Sequence, residues 1–367
     1  MNDNWWSLPS NKKFVSNIIK TIHCSKNVLI CLPVNIPDIT STLKSNFREY
    51  DSPKKAKNIT LKNSMNEEPL EVLYEIAEIS YKPSDLYSID KLLHEGKFTR
   101  KLFWIKDTDI SKQKKWLTFI NDYHHKSRNI DEYDRSIFCL VINEHIIGLS
   151  LPEEDVCLSI FKWENILSDY EMNFFVHSFV DAEKLNSVNK LLKVELITNL
   201  AIFDPGLAEY LNNFSINDLL NPIEILKQYG SEKGWNGNKA YTKNELFQLG
   251  IVNKVNNEKK THSSFLALKQ NLDEIDRRIW MAQIKVLFPY IEDQRRSILE
   301  NTKDRLCIPF ETKDNRKISS WKDLELGHIY YQMTTSDGFS NELKYKVKRL
   351  KDLRNKLSHL EPIKHWE

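Results

Sequence analysis

The chain has 367 residues, 41% hydrophobic and 11% aromatic, enough to bury the cores of two or three domains. Its formal charge is only +2, and neither a basic leader with an apolar core nor an apolar run of membrane-spanning length is present, so a soluble cytoplasmic protein without membrane association is expected. Cys24, Cys31, Cys139, Cys157 and Cys307 form no CxxC pair, and three of them sit in apolar runs, which fits reduced core thiols rather than a disulfide frame or zinc site.

From Lys12 the pattern alternates between helical and strand-like. Phe14, Val15, Ile18, Ile19 and Ile22 mark a helix, Val28 to Leu32 a short strand stopped by Pro33, and Ile39, Leu43 and Phe47 a second helix. Strand-like runs recur at Leu70 to Ile79, Leu102 to Ile105, Ile137 to Ile142 and Val156 to Phe161, with helical stretches at Ser84 to Glu95 and Ser111 to Lys126 between them. Continuous apolar runs indicate strands covered on both faces, hence an α/β domain with a mostly parallel sheet. Helical patterns follow at Ser168 to Val180, Val188 to Phe203 and Leu207 to Leu226.

Gly230, Gly234, Gly237 and Gly250 then cluster among polar residues, which reads as a domain junction. The expected division is an α/β domain at 1–230, a linker at 231–265 and an all-α domain at 266–367. A long helix from Leu272 to Leu299 contains Pro289, which should kink it. After a loop-like stretch to Ser320 comes a short helix near Asp323 to Gln332, and a final helix from Leu343 to Leu360.

The loop after the first strand, Pro33 to Thr40, contains neither glycine nor lysine, so it lacks the backbone nest and cation that cradle phosphates. The order of elements from Asn11 to about Gly230 resembles a degenerate P-loop-type ATPase core that has lost its phosphate loop; an unrelated α/β domain is the alternative. Either reading implies a scaffold or sensor rather than nucleotide hydrolysis, and no cofactor. Asp107, at the end of the Leu102 run, resembles the acid that holds magnesium in such cores, but a solvated acid at a strand end explains it as well. His124 and His125 end a helix, where protonated imidazole complements the dipole; metal binding is the competing role. Trp5 and Trp6 are expected to dock onto the domain, because two indoles in water are costly.

The last helix carries Arg354-Asn355-x-x-x-His359. At about 100° per residue, Leu343, Val347, Leu350, Leu353 and Leu357 form an apolar stripe with Arg354 at its edge, and Asn355 and His359 share a neighbouring face one turn apart. Between Lys344 and Lys356 there are seven Lys/Arg and one acid, Asp352. His359 suits proton transfer near neutrality, Arg354 suits charge on non-bridging phosphate oxygens, and Asn355 can orient the imidazole or a ribose. Lys346, Lys348, Arg349, Lys356, Arg295 and Arg296 are candidates for contacting RNA, and Glu292 for supporting the site. His262 and His328 belong to the same C-terminal part. The competing structural reading is that His359 and the lysines complement the helix end while Arg354 snorkels from the core edge.

This motif, late in the last helix of a helical C-terminal domain, resembles that of the HEPN superfamily of nucleotide-binding and ribonuclease domains. The resemblance covers roughly Leu272 to the C-terminus. It implies a metal-independent endoribonuclease of a toxin or antiphage defence system, with Arg354, Asn355 and His359 as catalytic residues and RNA as substrate. It also implies a homodimer joining two motifs, and a partner protein or antitoxin. A non-catalytic adaptor that binds nucleic acid or a partner is the alternative.

Overall fold

The computed structural model describes every residue except 1, 50–54, 61–67, 80–86, 107–109, 144–150, 182–183, 313–314 and 367. Asp107 therefore lies outside the described residues, as do residues 84–86 of the expected helix at Ser84 to Glu95. In chain order the first elements are α1 (Asn2–Trp6), α2 (Pro9–His23), β1 (Asn27–Leu32), α3 (Thr40–Glu49), β2 (Lys55–Thr60), α4 (Pro69–Ile76), α5 (Ile89–Leu93), β3 (Lys101–Lys106), α6 (Ile110–Lys126), β4 (Ile137–Asn143) and β5 (Leu158–Lys162). Next come α7 (Asp169–Val180), α8 (Ser187–Ala201), α9 (Pro205–Asn212), α10 (Ile216–Leu219), α11 (Ile223–Glu232), α12 (Lys243–Gln248), β6 (Val252–Val255), β7 (Glu258–Thr261) and α13 (Ser263–Leu268). The chain closes with α14 (Leu272–Thr302), β8 (Phe310–Glu311), β9 (Lys317–Ile318), α15 (Leu326–Thr335) and α16 (Asn341–Ser358).

Two compact units result: residues 1–175, 203–206 and 239–262 form the first, and residues 176–202, 207–238 and 263–367 the second. The first is α/β. Its five strands are all parallel, in the order β2-β3-β4-β1-β5. β1 is buried along its whole length, as its continuous run NVLICL requires of a central strand. On one face Leu29, Cys31, Phe103, Ile105, Phe138 and Leu140 pack against α4, α5 and α6 through Leu73, Leu92, Trp116 and Ile120. On the other, Trp104 meets Phe47 of α3, and Phe14 of α2 meets Phe161 and Trp163. Trp5 and Trp6 are buried, Trp6 donating its Nε1–H to the Asp38 carbonyl at 3.1 Å, so the indoles dock as expected.

Three differences have clear physical causes. Leu70 to Ile79 is not a strand: Leu70, Leu73, Tyr74 and Ala77 recur at helical spacing, and α4 starts with Pro69 inside a Glu68/Glu71 capping box. β2, which the sequence pattern hides, is a strand with the mostly polar sequence KAKNIT, at the end of the strand order beside β3. Residues expected to be a linker instead build a hairpin, β6 paired antiparallel to β7. Its two-residue turn is Asn256-Asn257, both at positive φ, the geometry that asparagine tolerates best after glycine. Asn165 clasps that turn with hydrogen bonds of 2.7 Å to the Asn257 side chain and backbone.

The second unit is helical. Its composition departs from the boundaries expected at 230 and 265, because helices well before residue 230 belong to it. α8 is apolar around most of its circumference, burying Leu192, Val194, Leu196, Ile197, Leu200 and Ala201, and such a helix must be covered on several sides. α14 supplies one cover, with a Lys285–Glu195 ion pair of 3.0 Å at its margin. The helical assignment of α14 is unbroken through Pro289. The expected loop at Asn301 to Ser320 holds a short β8–β9 pairing.

Candidate functional site

α16 starts at Ser340, whose hydroxyl accepts the Leu343 N–H at 3.2 Å, and buries Val347, Leu350 and Leu357. It ends one residue before His359. His359 is the C-cap, and Leu360 takes φ 62°, the left-handed conformation that usually falls to glycine. Glu361 N–H then reaches back to the Lys356 carbonyl at 2.9 Å, and Leu360 N–H to the Leu357 carbonyl at 3.3 Å, closing the helix end. Helix α14 holds this end in place. Trp280 donates its Nε1–H to the Leu357 carbonyl at 2.7 Å. The fully buried amide of Gln283 both donates to the Ile363 carbonyl, at 2.6 Å, and accepts the Ile363 N–H, at 2.8 Å. The turn carrying His359 is thus anchored on both sides.

Arg354 leans to the buried side and pairs with Glu325 at 3.4 Å, where both line an open cleft of about 390 Å³ with Glu292, Arg295 and Asp323. Asn355, in the last turn of the helix, and His359, just beyond it, are both exposed. No hydrogen bond joins Arg354 to His359 among the described residues. Lys348 and Lys356 are also exposed, with Tyr345 and Leu360 at 68% and 67% exposure. Lys346 is exposed as well; Arg349 is half-buried.

On α14, Arg295 is committed to structure: it donates to the Lys322 and Leu324 carbonyls at 3.1 and 3.0 Å and to Glu292 at 2.8 Å. Arg296 is exposed and pairs with Glu300 at 3.0 Å. Glu325 escaped the sequence reading. It is the N-cap of α15, bonded reciprocally with His328, whose Nδ1 accepts the Glu325 N–H at 3.2 Å. The signal was an acid one residue before an apolar helix with a hydrogen-bonding residue at the third position. His328 therefore reaches the Arg354 ion pair through Glu325. His262 lies elsewhere: in the first unit, fully buried, 3.0 Å from the equally buried Asp204.

The loop after β1 is closed by its own unit. Val34 N–H donates to the Gln248 carbonyl at 3.2 Å, and Gly250 (φ 67°) packs so tightly on buried Asn35 that a Cβ there would stand 2.3 Å from its Oδ1. His124 differs from the protonated imidazole expected at a helix end. It is 1% exposed, and burial first, then the neighbouring His125, lowers its pKa below the usual value.

A comparison with protein-family models matches none of them, and a comparison with curated proteins finds no similar sequence. Among the described residues no helix is long and apolar enough to cross a membrane.

Proposed function

We propose that the helical unit is a metal-independent endoribonuclease of a prokaryotic toxin or antiphage defence system, working in the cytoplasm as a homodimer with a composite Arg/His site. The observation that carries this reading is that Asn355 and His359 stand exposed, one turn apart, on a helix end pinned by Trp280 and Gln283. A preorganised imidazole open to solvent is what proton transfer to a bulky polyanion requires. In the reaction a base takes the proton of a ribose 2′-OH, the 2′-oxygen attacks phosphorus, and the bond to the 5′-oxygen breaks as an acid protonates it. The products are a 2′,3′-cyclic phosphate and a 5′-hydroxyl. His359 serves in proton transfer, Asn355 orients the ring or ribose, and Arg354 stabilises the phosphorane.

One histidine cannot easily carry both transfers, and Arg354 pairs with Glu325 rather than with the His359 of its own chain. Both facts support a site shared between two copies, with Tyr345 and Leu360 as exposed apolar surface for the contact. The Arg354–Glu325 pair is long and partly exposed, so a phosphate can displace Glu325 at a cost of about 0–1 kcal/mol. Lys346, Lys348 and Lys356 are suited to backbone phosphates. For the first unit we favour a degenerate P-loop-type core acting as sensor or scaffold, supported by its parallel sheet order and by the closure of the loop after β1 over Gln248 and Gly250.

The test is RNA cleavage by the full chain in a chelator, together with toxicity on expression. His359→Ala should abolish both and leave the helical circular-dichroism signal and the oligomeric state unchanged. Cleavage retained by that variant would overturn the assignment. A second reading, a non-catalytic nucleic-acid- or partner-binding subunit, is favoured by the C-cap position of His359, where imidazole complements the helix end. It predicts that charge reversal at Lys346 and Lys348 abolishes complex formation while His359→Ala does nothing.

A further inference from the structure

In the first unit, the end of α6 faces the segment that leads into β5. His124, His125 and Asp155 each bring one potential ligand atom within 4.8 Å of the other two. His124 is the informative member. Its Nδ1 lies 3.3 Å from the Ile120 carbonyl and its Nε2 3.5 Å from Asp155 Oδ2, so a ring nitrogen meets an acceptor on each side. A neutral imidazole carries one N–H and can satisfy only one of them. Nδ1–H donating to Ile120 leaves the Nε2 lone pair, buried and without a hydrogen-bond partner among the described residues, aimed at a carboxylate oxygen. Two acceptors facing each other repel unless a cation stands between them.

A divalent metal ion supplies such a cation. Zn–N bonds of about 2.0–2.1 Å and Zn–O bonds of about 2.0–2.2 Å place two ligands of a tetrahedral site roughly 3.3–3.5 Å apart, which is the His124–Asp155 separation. A histidine whose other ring nitrogen donates to a backbone carbonyl is the usual arrangement around zinc. The carbonyl ends of α6 add favourable potential for a cation.

We propose that His124 Nε2, His125 and Asp155 bind one divalent transition ion of the zinc type, with a water molecule as fourth ligand, clipping the end of α6 to the approach to β5. The present partner of Asp155 is Arg128, at 2.5 Å, while Cys157 N–H occupies the other carboxylate oxygen at 2.7 Å. Arg128 is about half exposed and can swing into solvent, so it acts as a competitor for the ion rather than as part of the site. This site does not rest on the ribonuclease reading.

The experiment is titration of metal-stripped, tag-free full-length protein with Co2+ and then Zn2+. One equivalent should bind per chain, giving visible Co2+ absorption that Zn2+ bleaches and raising the thermal midpoint. His125→Ala, at an exposed position that leaves packing intact, should weaken binding by at least roughly 10- to 100-fold and remove the thermal shift. Arg128→Ala should tighten binding several-fold, whereas a purely structural Asp155–Arg128 pair predicts no gain. Absence of saturable uptake by the wild-type chain, or uptake unchanged in His125→Ala, overturns the proposal. Ribonuclease activity that survives in His125→Ala would show the two sites to be separate.

Discussion

Replacing Gly250 by alanine tests how firmly the chain closes the loop after β1. Gly250 has φ 67°, and an added Cβ would lie 2.3 Å from Asn35 Oδ1, 2.6 Å from its Cγ and 3.2 Å from its Cβ. Asn35 is itself buried, and neither of its amide atoms is hydrogen-bonded among the described residues. Left-handed backbone costs an L-residue roughly 1–2 kcal/mol, and forcing extra volume into packed surroundings costs about 1–3 kcal/mol. Loss of glycine's freedom in the unfolded chain returns about 0.4–1 kcal/mol, leaving a net destabilisation of roughly 2–4 kcal/mol. At about 1.4 kcal/mol per tenfold, amide protection of β1 and β4 should fall by roughly 30- to 700-fold in hydrogen exchange. The double variant Asn35→Ala/Gly250→Ala relieves the crowding but not the backbone strain, so it should regain about 1–2 kcal/mol. Gly234→Ala is the control in the second unit: its φ is 74° but no atom of the described residues lies within 4 Å, so only the backbone cost applies. Unchanged protection in Gly250→Ala, or a double variant no better than the single one, would refute this account of the closed loop.

Other outcomes follow from the helical unit. Hydrogen bonds from Arg277, opposed by partial burial and reinforced by the Arg278 charge, hold Glu274 below its ordinary pKa of 4.5. A depressed carboxylate stabilises above its unfolded pKa, so this contribution should be full near neutrality and lost as pH falls below about 4.5. Urea midpoints measured from pH 7 to pH 3 should decline less steeply for Glu274→Gln. That substitution also weakens the partner of Arg278, a buried guanidinium lowered to about 10 by burial and otherwise bonded to Ser263 at 2.6 Å; it should cost about 1–3 kcal/mol at pH 7. Trp280→Phe deletes the bond to the Leu357 carbonyl, costing about 0.5–1.5 kcal/mol, and should speed amide exchange at 359–361. If that helix end presents the catalytic imidazole, the same variant lowers the cleavage rate more than RNA affinity. Lys346→Glu with Lys348→Glu should weaken RNA binding across sequences and reduce the salt dependence of log K by about 1 for each phosphate no longer neutralised.

Continuous apolar runs made β1, β3 and β4 legible, because strands covered on both faces need no alternation. Period 3.6 likewise showed α2, α6, α14 and α16. What escaped was structure made by partners far along the chain. β2 is a strand because β3 offers it a ladder, and its own run, KAKNIT, is mostly polar. The 252–261 hairpin read as linker because its asparagine turn lacks the glycine that usually marks one.

For the candidate site, the sequence alone determined the residue types, the helix and the one-turn spacing of Asn355 and His359, since these follow from covalent order and helical pitch. Tertiary structure decided which way each side chain faces. Packing of α16 on α15 turns Arg354 toward Glu325, a neighbour supplied from 29 residues earlier in the chain. The anchoring of Leu357 and Ile363 by Trp280 and Gln283 joins residues 77 and 80 positions apart. The same holds for His124 and Asp155: a histidine pair at a helix end is only a dipole complement until the fold brings a carboxylate to its buried nitrogen. Periodicity encodes which side of an element is apolar, but the partner that covers it is chosen by the packing of the whole unit.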